Sequence, residues 1–181
     1  MTEKQSKSVL VVSTALKESS KTLVAADAVA NRLRHEGFSV DLVDLAVETL
    51  PQCDGASCYQ DAAVTAMTER VSAASLIVLC FPVYNYQANS AAKNFIEITN
   101  SGWKNKVVSF VANAGGDRSF LAPMSLANSL MVDHFCLIVP HFLYLAPSSY
   151  DDDGAIVLKG ITGELFDVQI KSACRLIEFA E

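Results

Sequence analysis

Three short stretches of this chain gather side chains with recognisable binding chemistry. In Thr14-Ala-Leu-Lys-Glu-Ser-Ser-Lys-Thr22, an ammonium (Lys17) and the hydroxyls of Ser19, Ser20 and Thr22 fall at the start of a helical pattern. A helix N-terminus presents unsatisfied N–H groups and the positive end of its dipole, so Lys17, Ser20 and Thr22 suit one terminal phosphate. The same residues also fit a plain cap, with Ser19 or Ser20 capping and Lys17 in solvent. The second stretch, Phe81-Pro82-Val83-Tyr84-Asn85-Tyr86-Gln87, follows a very apolar run. Its backbone amides and Asn85 can read the edge of a pyrimidine-like ring while Tyr84 or Tyr86 packs an aromatic face. Ordinary turn chemistry or ring burial at a strand end accounts for it as well. The third, Asn113-Ala114-Gly115-Gly116-Asp117-Arg118, sets two glycines where a strand gives way to a helix. Glycine there lets the backbone approach a planar ligand closely, or simply makes the turn.

Hydrophobic patterning supplies the elements that must position these stretches. Ser8–Ser13, Leu76–Phe81 and Lys106–Ala112 are short, largely apolar runs, as expected of strands covered on both faces. Ser39–Leu45 alternates and reads as a further strand, and a fifth falls within Phe135–Leu145. Helical patterns occupy about 20–36, 61–74, 90–100, 119–132 and 162–180, and residues 46–60 are irregular. Strict alternation of strand and helix predicts an α/β fold with a parallel sheet and helices on both faces. Five strands with right-handed crossovers fit the flavodoxin-like doubly wound order 2-1-3-4-5. Ligands of such sheets bind outside the carboxyl ends of the strands near the switch point, where all three stretches fall.

The remaining features narrow the function by exclusion. No G-x-G-x-x-G or P-loop pattern is present, which argues against a dinucleotide fingerprint or a Walker-type phosphate loop. The 181 residues, 51% hydrophobic, predict one domain over 1–181, with 1–7 disordered. A net charge of −6 disfavours nucleic acid or anionic membrane as partner. Five scattered cysteines form no zinc or CxxC pattern and fit a reducing compartment. The polar first eight residues carry no signal-peptide core and no run approaches the roughly 20 apolar residues of a membrane span, so a cytoplasmic protein is expected. Cys53 and Cys58 share the irregular stretch without redox-motif spacing, His134 and His141 read as packing residues, and Asp151-Asp-Asp-Gly154 reads as a solvated turn.

At these residues the chain resembles the flavodoxin-like NADPH-dependent FMN reductases, a group that includes quinone, azo-dye and chromate reductases. Pro82-x-Tyr84-Asn85 followed by Lys93-Asn94-x-Ile96-Glu97 is similar to the family's P-x-Y-N and K-N pairs. Thr14 to Thr22 resembles its G-S-x-R-x-x-S-x-T phosphate loop, with Thr14 and Ala15 in place of Gly-Ser and Lys17 in place of the arginine. Ala114-Gly115-Gly116-x-Arg118 resembles its A-G-G-x-R. The resemblance covers about residues 8–145 and implies bound FMN reduced by NADPH or NADH, with electrons passed to a small acceptor such as a flavin, quinone, azo compound or metal oxyanion. It implies no protein acid–base pair, since the chemistry lies on the flavin. Thr14, Lys17, Ser20 and Thr22 would meet the phosphate. Pro82, Val83, Tyr84, Asn85 and Tyr86 would hold one edge of the ring system, and Asn113, Ala114, Gly115 and Gly116 the opposite side. Arg118 would meet a nicotinamide-nucleotide phosphate or form a surface ion pair. A homodimer or homotetramer is implied, with His141–Leu145 and residues 46–60 as candidate contact surfaces. Two other readings fit the same residues: a flavodoxin-type electron carrier, and an interaction module that keeps the fold without flavin, which Thr14 and Ala15 favour.

Overall fold

The computed structural model describes residues 7–180, so the disorder expected for 1–7 lies outside the described residues except at Lys7. The elements in chain order are β1 (Ser8–Ser13), α1 (Lys21–His35), β2 (Ser39–Asp44), α2 (Ala62–Ala73), β3 (Leu76–Tyr84), β4 (Gln87–Ala88), α3 (Ser90–Ile98), β5 (Val107–Asn113), α4 (Met124–His134), β6 (Leu137–Ile138), β7 (Leu143–Leu145) and α5 (Gly160–Phe179). The sheet runs β2-β1-β3-β5-β6, with β7 continuing on the same side of β5 and all of these pairs parallel. This is the expected doubly wound order, with the fifth strand in two pieces.

Alternation along each strand divides the core. Leu10, Val12, Ile77, Leu79, Phe81, Val108 and Phe110 face α2, α3 and α4, while Val9, Val11, Leu76, Val78, Val107 and Val111 face α1 and α5. Both faces of the central strands are covered, which is why their sequences read as unbroken apolar runs. On the first face Trp103 is fully buried, edge-on to Phe95 at 6.0 Å. Its indole N–H donates to Thr99 Oγ1 at 2.9 Å, and its carbonyl accepts from the Cys136 thiol at 3.2 Å. Burial pushes that thiol up to about 11.

Several boundaries differ from the sequence expectation. β3 does not stop at Pro82 but runs to Tyr84, and folds back through a two-residue turn to pair Val83 with Ala88 and Tyr84 with Gln87. α4 begins at Met124 instead of about 119, because residues 114–123 form turns at the sheet edge. The fifth strand breaks at Val139–Phe142, where Pro140 can donate no ladder hydrogen bond and His141 takes φ +63°. β6 pairs with Val107 and Val108 and β7 with Val111 to Asn113, leaving Ser109 and Phe110 between them. Gln169 of α5, fully buried, fills that interval by donating to the Phe110 carbonyl at 2.6 Å and to Ser109 Oγ at 2.9 Å.

Candidate functional site

The three stretches converge at the carboxyl end of the sheet. The first leaves β1 at Thr14 and enters α1 through Ser20, whose Oγ accepts from the Leu23 N–H at 3.1 Å. That cap leaves the Ser20 hydroxyl proton free to donate. The N–H groups of Lys21 and Thr22 have no protein acceptor among the described residues. Lys17 and Ser19 are exposed, and Ser19 takes φ +52°. Ser13, the last residue of β1, is fully buried and its hydroxyl has no hydrogen-bond partner among the described residues.

Thr14 and Thr22 behave differently from their expected places among the ligand groups. Thr14 is fully buried; its hydroxyl donates to Asn89 Oδ1 at 2.8 Å, and Asn89 Nδ2 donates back to the Thr14 carbonyl at 2.7 Å. Both polar groups are thereby consumed inside the protein, and Thr14 holds the loop in place instead of presenting its side chain. The Thr22 hydroxyl is also buried and accepts from Asn113 Nδ2 at 3.5 Å, joining the first stretch to the third. Asn89 heads α3 and its own N–H donates to the Pro82 carbonyl at 3.1 Å, so one buried amide ties the first stretch to the second.

The second stretch forms the tip of the β3–β4 hairpin. Asn85 and Tyr86 are its two central residues, with φ +49° and +64°, and both tyrosines stand largely exposed. Gln87 Oε1 accepts from Ser125 Oγ at 2.8 Å, which ties the hairpin to α4. In the third stretch Ala114 is buried and its N–H donates to the Leu145 carbonyl at 2.8 Å. Tyr144 OH donates to the Gly116 carbonyl and accepts from the Ser119 N–H at 3.2 Å. Arg118 is exposed and makes no ion pair among the described residues.

Between the second and third stretches opens a cleft of about 410 Å³, lined by Val83, Asn85, Tyr86 and the chain from Ala114 to Ser119. A Cβ built on Gly115 or Gly116 would meet nothing within 4 Å, and neither glycine lies in the left-handed region. Neither close packing nor backbone conformation therefore calls for glycine here. Glycine at these two positions leaves bare backbone among the cleft lining. A larger groove of about 870 Å³, lined by Val64, Thr68 and Ile98 among others, contains none of the three stretches.

Asn94, matched above to the family's K-N pair, faces the loop after β2. It accepts from the Cys53 N–H at 2.8 Å and donates to the Pro51 carbonyl at 2.9 Å, clamping the loop after β2. In that loop Asp54 accepts from the Ser57 hydroxyl and from the N–H groups of Cys58 and Ala56, which hold its carboxyl well below the usual carboxylate range. All five cysteines are free thiols. Asp151 Oδ1 accepts from Asp153 and Ala155 N–H, the turn expected there, and no metal-binding cluster occurs among the described residues. No described helix is long and apolar enough to cross a membrane.

A doubly wound parallel sheet with a helix N-terminus, an aromatic hairpin tip and a bare glycine turn gathered at its switch point defines a flavodoxin-like protein. Residues 8–150 match the family described as NADPH-dependent FMN reductase. An NADPH azoreductase from Bacillus sp. (strain OY1-2) is 30% identical over 129 residues, spanning 70% of this chain and 68% of the relative. Among solved structures, the flavoenzyme NAD(P)H:(acceptor) oxidoreductase FerB from Paracoccus denitrificans superposes with TM-score 0.77 at 19% identity, over 96% of this chain and 98% of the other. An oxidoreductase from Corynebacterium diphtheriae gives 0.74 at 19% identity over 97% of both chains. The chain belongs to the NADPH-dependent FMN reductase family, an oxidoreductase class whose cofactors are FMN and NAD(P)H.

Proposed function

We propose that FMN binds across the three stretches and that the chain passes reducing equivalents from NAD(P)H to a small acceptor: a flavin, quinone, azo compound or metal oxyanion. The observation that carries this is the Gly115–Gly116 turn, bare toward the cleft and free of any internal demand for glycine. When bound, FMN supplies the redox chemistry by taking a hydride from NAD(P)H and releasing electrons to the acceptor. The protein's part is binding and exclusion. Lys17, the Ser20 hydroxyl and the first-turn N–H groups of α1 hold the phosphate, where the helix dipole favours an anion. Thr14 and Thr22 fix that loop from beneath through Asn89 and Asn113. The backbone from Pro82 to Asn85 holds one edge of the ring system, and Asn113 to Gly116 the other side. Arg118, exposed across the cleft, meets the nicotinamide nucleotide's phosphate.

We further propose a cytoplasmic homodimer or homotetramer. Five free thiols suit a reducing compartment. Of the two expected contact surfaces, His141–Leu145 is largely taken up within the fold, since Leu143 and Leu145 are fully buried. Phe120, Leu121 and Met124, exposed just beyond the cleft residue Ser119, offer a better surface. Light scattering on the eluting protein reads the oligomer directly.

The test of the flavin reading is an anaerobic visible spectrum of protein mixed with FMN and desalted, before and after NADPH or NADH. Retained yellow that bleaches on either nucleotide supports the proposal. Retained yellow that ignores both favours the electron carrier, and colourless protein favours the flavin-free module.

A further inference from the structure

The hairpin tip holds a backbone conformation that its sequence does not favour. Two central residues with positive φ make a type I′ geometry, for which Asn-Gly is the preferred pair. Asn85 suits the first position. Tyr86, at φ +64°, does not suit the second, because a bulky side chain at positive φ clashes with its own backbone. The turn cannot relax by rotating away. Val83 and Tyr84 are paired to Ala88 and Gln87, Gln87 is bonded to Ser125, and Asn89 is anchored on Pro82 and Thr14.

No side-chain hydrogen bond or ring contact of Tyr86 among the described residues offsets that conformation. The Tyr86 side chain is 60% exposed, and its hydroxyl makes no hydrogen bond among the described residues. It lines the cleft together with Gly115, Gly116 and Arg118, and Val83 and Ala114 are the more buried residues of that lining. Strain kept at a cleft-lining residue whose aromatic ring is largely exposed points to a ligand that rewards the ring.

We propose that Tyr86 sets acceptor specificity: its ring is the stacking surface for a planar aromatic acceptor, a quinone or an aromatic azo compound, entering at the cleft mouth. This rests on the flavin reading above. A flat acceptor gains a stacking partner on Tyr86, whereas a compact inorganic acceptor gains none, so the residue acts on the ratio between the two classes.

The experiment uses FMN-loaded protein with NADPH and two acceptors, 2-methyl-1,4-naphthoquinone and ferricyanide, for the wild type, Tyr86→Gly and Tyr86→Phe. Tyr86→Gly is expected to raise the quinone KM and to lower the quinone-to-ferricyanide ratio of kcat/KM by about ten-fold, the scale of one lost aromatic contact. Tyr86→Phe, which keeps the ring, is expected to retain the wild-type ratio. Tyr86→Gly is also expected to melt at a higher temperature than the wild type, which separates loss of the ring from loss of the fold. An unmoved ratio overturns the proposal. So does a parallel fall with both acceptors accompanied by weaker FMN binding, which would assign the ring to the flavin, and so does a lower melting temperature, which would show that the ring supports its own chain. Wild-type protein that takes up no FMN overturns the flavin reading and this one together; normal FMN uptake with an unmoved ratio overturns this one alone.

Discussion

Asn89→Ala is the substitution whose consequence can be worked out most fully. Asn89 is 6% exposed and exchanges two hydrogen bonds with a Thr14 that is fully buried. Alanine leaves the Thr14 hydroxyl and carbonyl enclosed without these partners. A buried group stripped of its partner costs about 1–3 kcal/mol, so two such groups, with some relaxation of the hydroxyl, amount to about 3 kcal/mol. For a chain of 181 residues that corresponds to a fall in Tm of about 6–12 °C. Thr14→Val orphans only Asn89 Oδ1 and should cost about 1–2 kcal/mol. The double variant is the sharper test, because it orphans only the Thr14 carbonyl where Asn89→Ala alone orphans the hydroxyl as well. Calorimetry and urea unfolding followed by circular dichroism should place Thr14→Val/Asn89→Ala no lower in stability than Asn89→Ala alone. FMN affinity should fall in both single variants, since the clasp sets the loop against the head of α3. Additive losses of about 4–5 kcal/mol in the double variant, or an Asn89→Ala cost below about 0.5 kcal/mol, would refute the reasoning.

Gly116→Ala should leave the fold intact, or stabilise it by about 0.4–1 kcal/mol through the unfolded chain, while weakening FMN binding at least ten-fold; a flavin titration beside a thermal melt checks both. Asn94→Ala should destabilise by about 1–2 kcal/mol and speed amide exchange at Cys53 while leaving flavin affinity little changed, because its two hydrogen bonds go to the loop after β2. The lowered carboxyl of Asp54 gives the 54–58 turn a contribution that is fully present above the ordinary aspartate pKa of about 3.9 and is lost as pH falls toward the folded value. Amide protection at Cys58 should therefore hold from neutral pH down to about 4 and fall only below it; a loss centred near pH 6 would contradict this assignment.

The parts of the fold legible in the sequence are those fixed by local pattern. β1, β3 and β5 are buried on both faces, so they read as unbroken apolar runs, and the crossover helices read from their stripes. The position of the three stretches then followed from topology. The hairpin escaped because its tip is Asn85-Tyr86, with no glycine to announce it, and because Pro82 reads as a stop although β3 continues through it. The break in the fifth strand escaped for a related reason: residues 135–145 are apolar enough to pass for one strand, and only pairing to β5 reveals the extra residues around Pro140. Asn89 in the site and Gln169 in the core carry contacts 75 and 60 residues away in sequence, and no local spacing encodes such a partner. Thr14 reads as a phosphate-meeting residue for the same reason, its partner Asn89 lying far along the chain. Its counterpart Asn89 explains why a threonine can stand where the family has glycine.

Trp103 is the chain's sole tryptophan, and its place in the layer between the sheet and α2, α3 and α4 makes it an optical reporter of that layer. An indole shielded from water, edge-on to Phe95 and donating to Thr99, should emit at short wavelength and shift red only when those helices leave the sheet. The α1–α5 layer contains no such chromophore, so a gap between the fluorescence transition and the loss of helical ellipticity would mean that the two faces of the sheet come apart separately. Flavin absorbs in the range where tryptophan emits. FMN entering the cleft would therefore dim Trp103 by energy transfer while leaving its emission wavelength in place, and the two events can be told apart in a single titration.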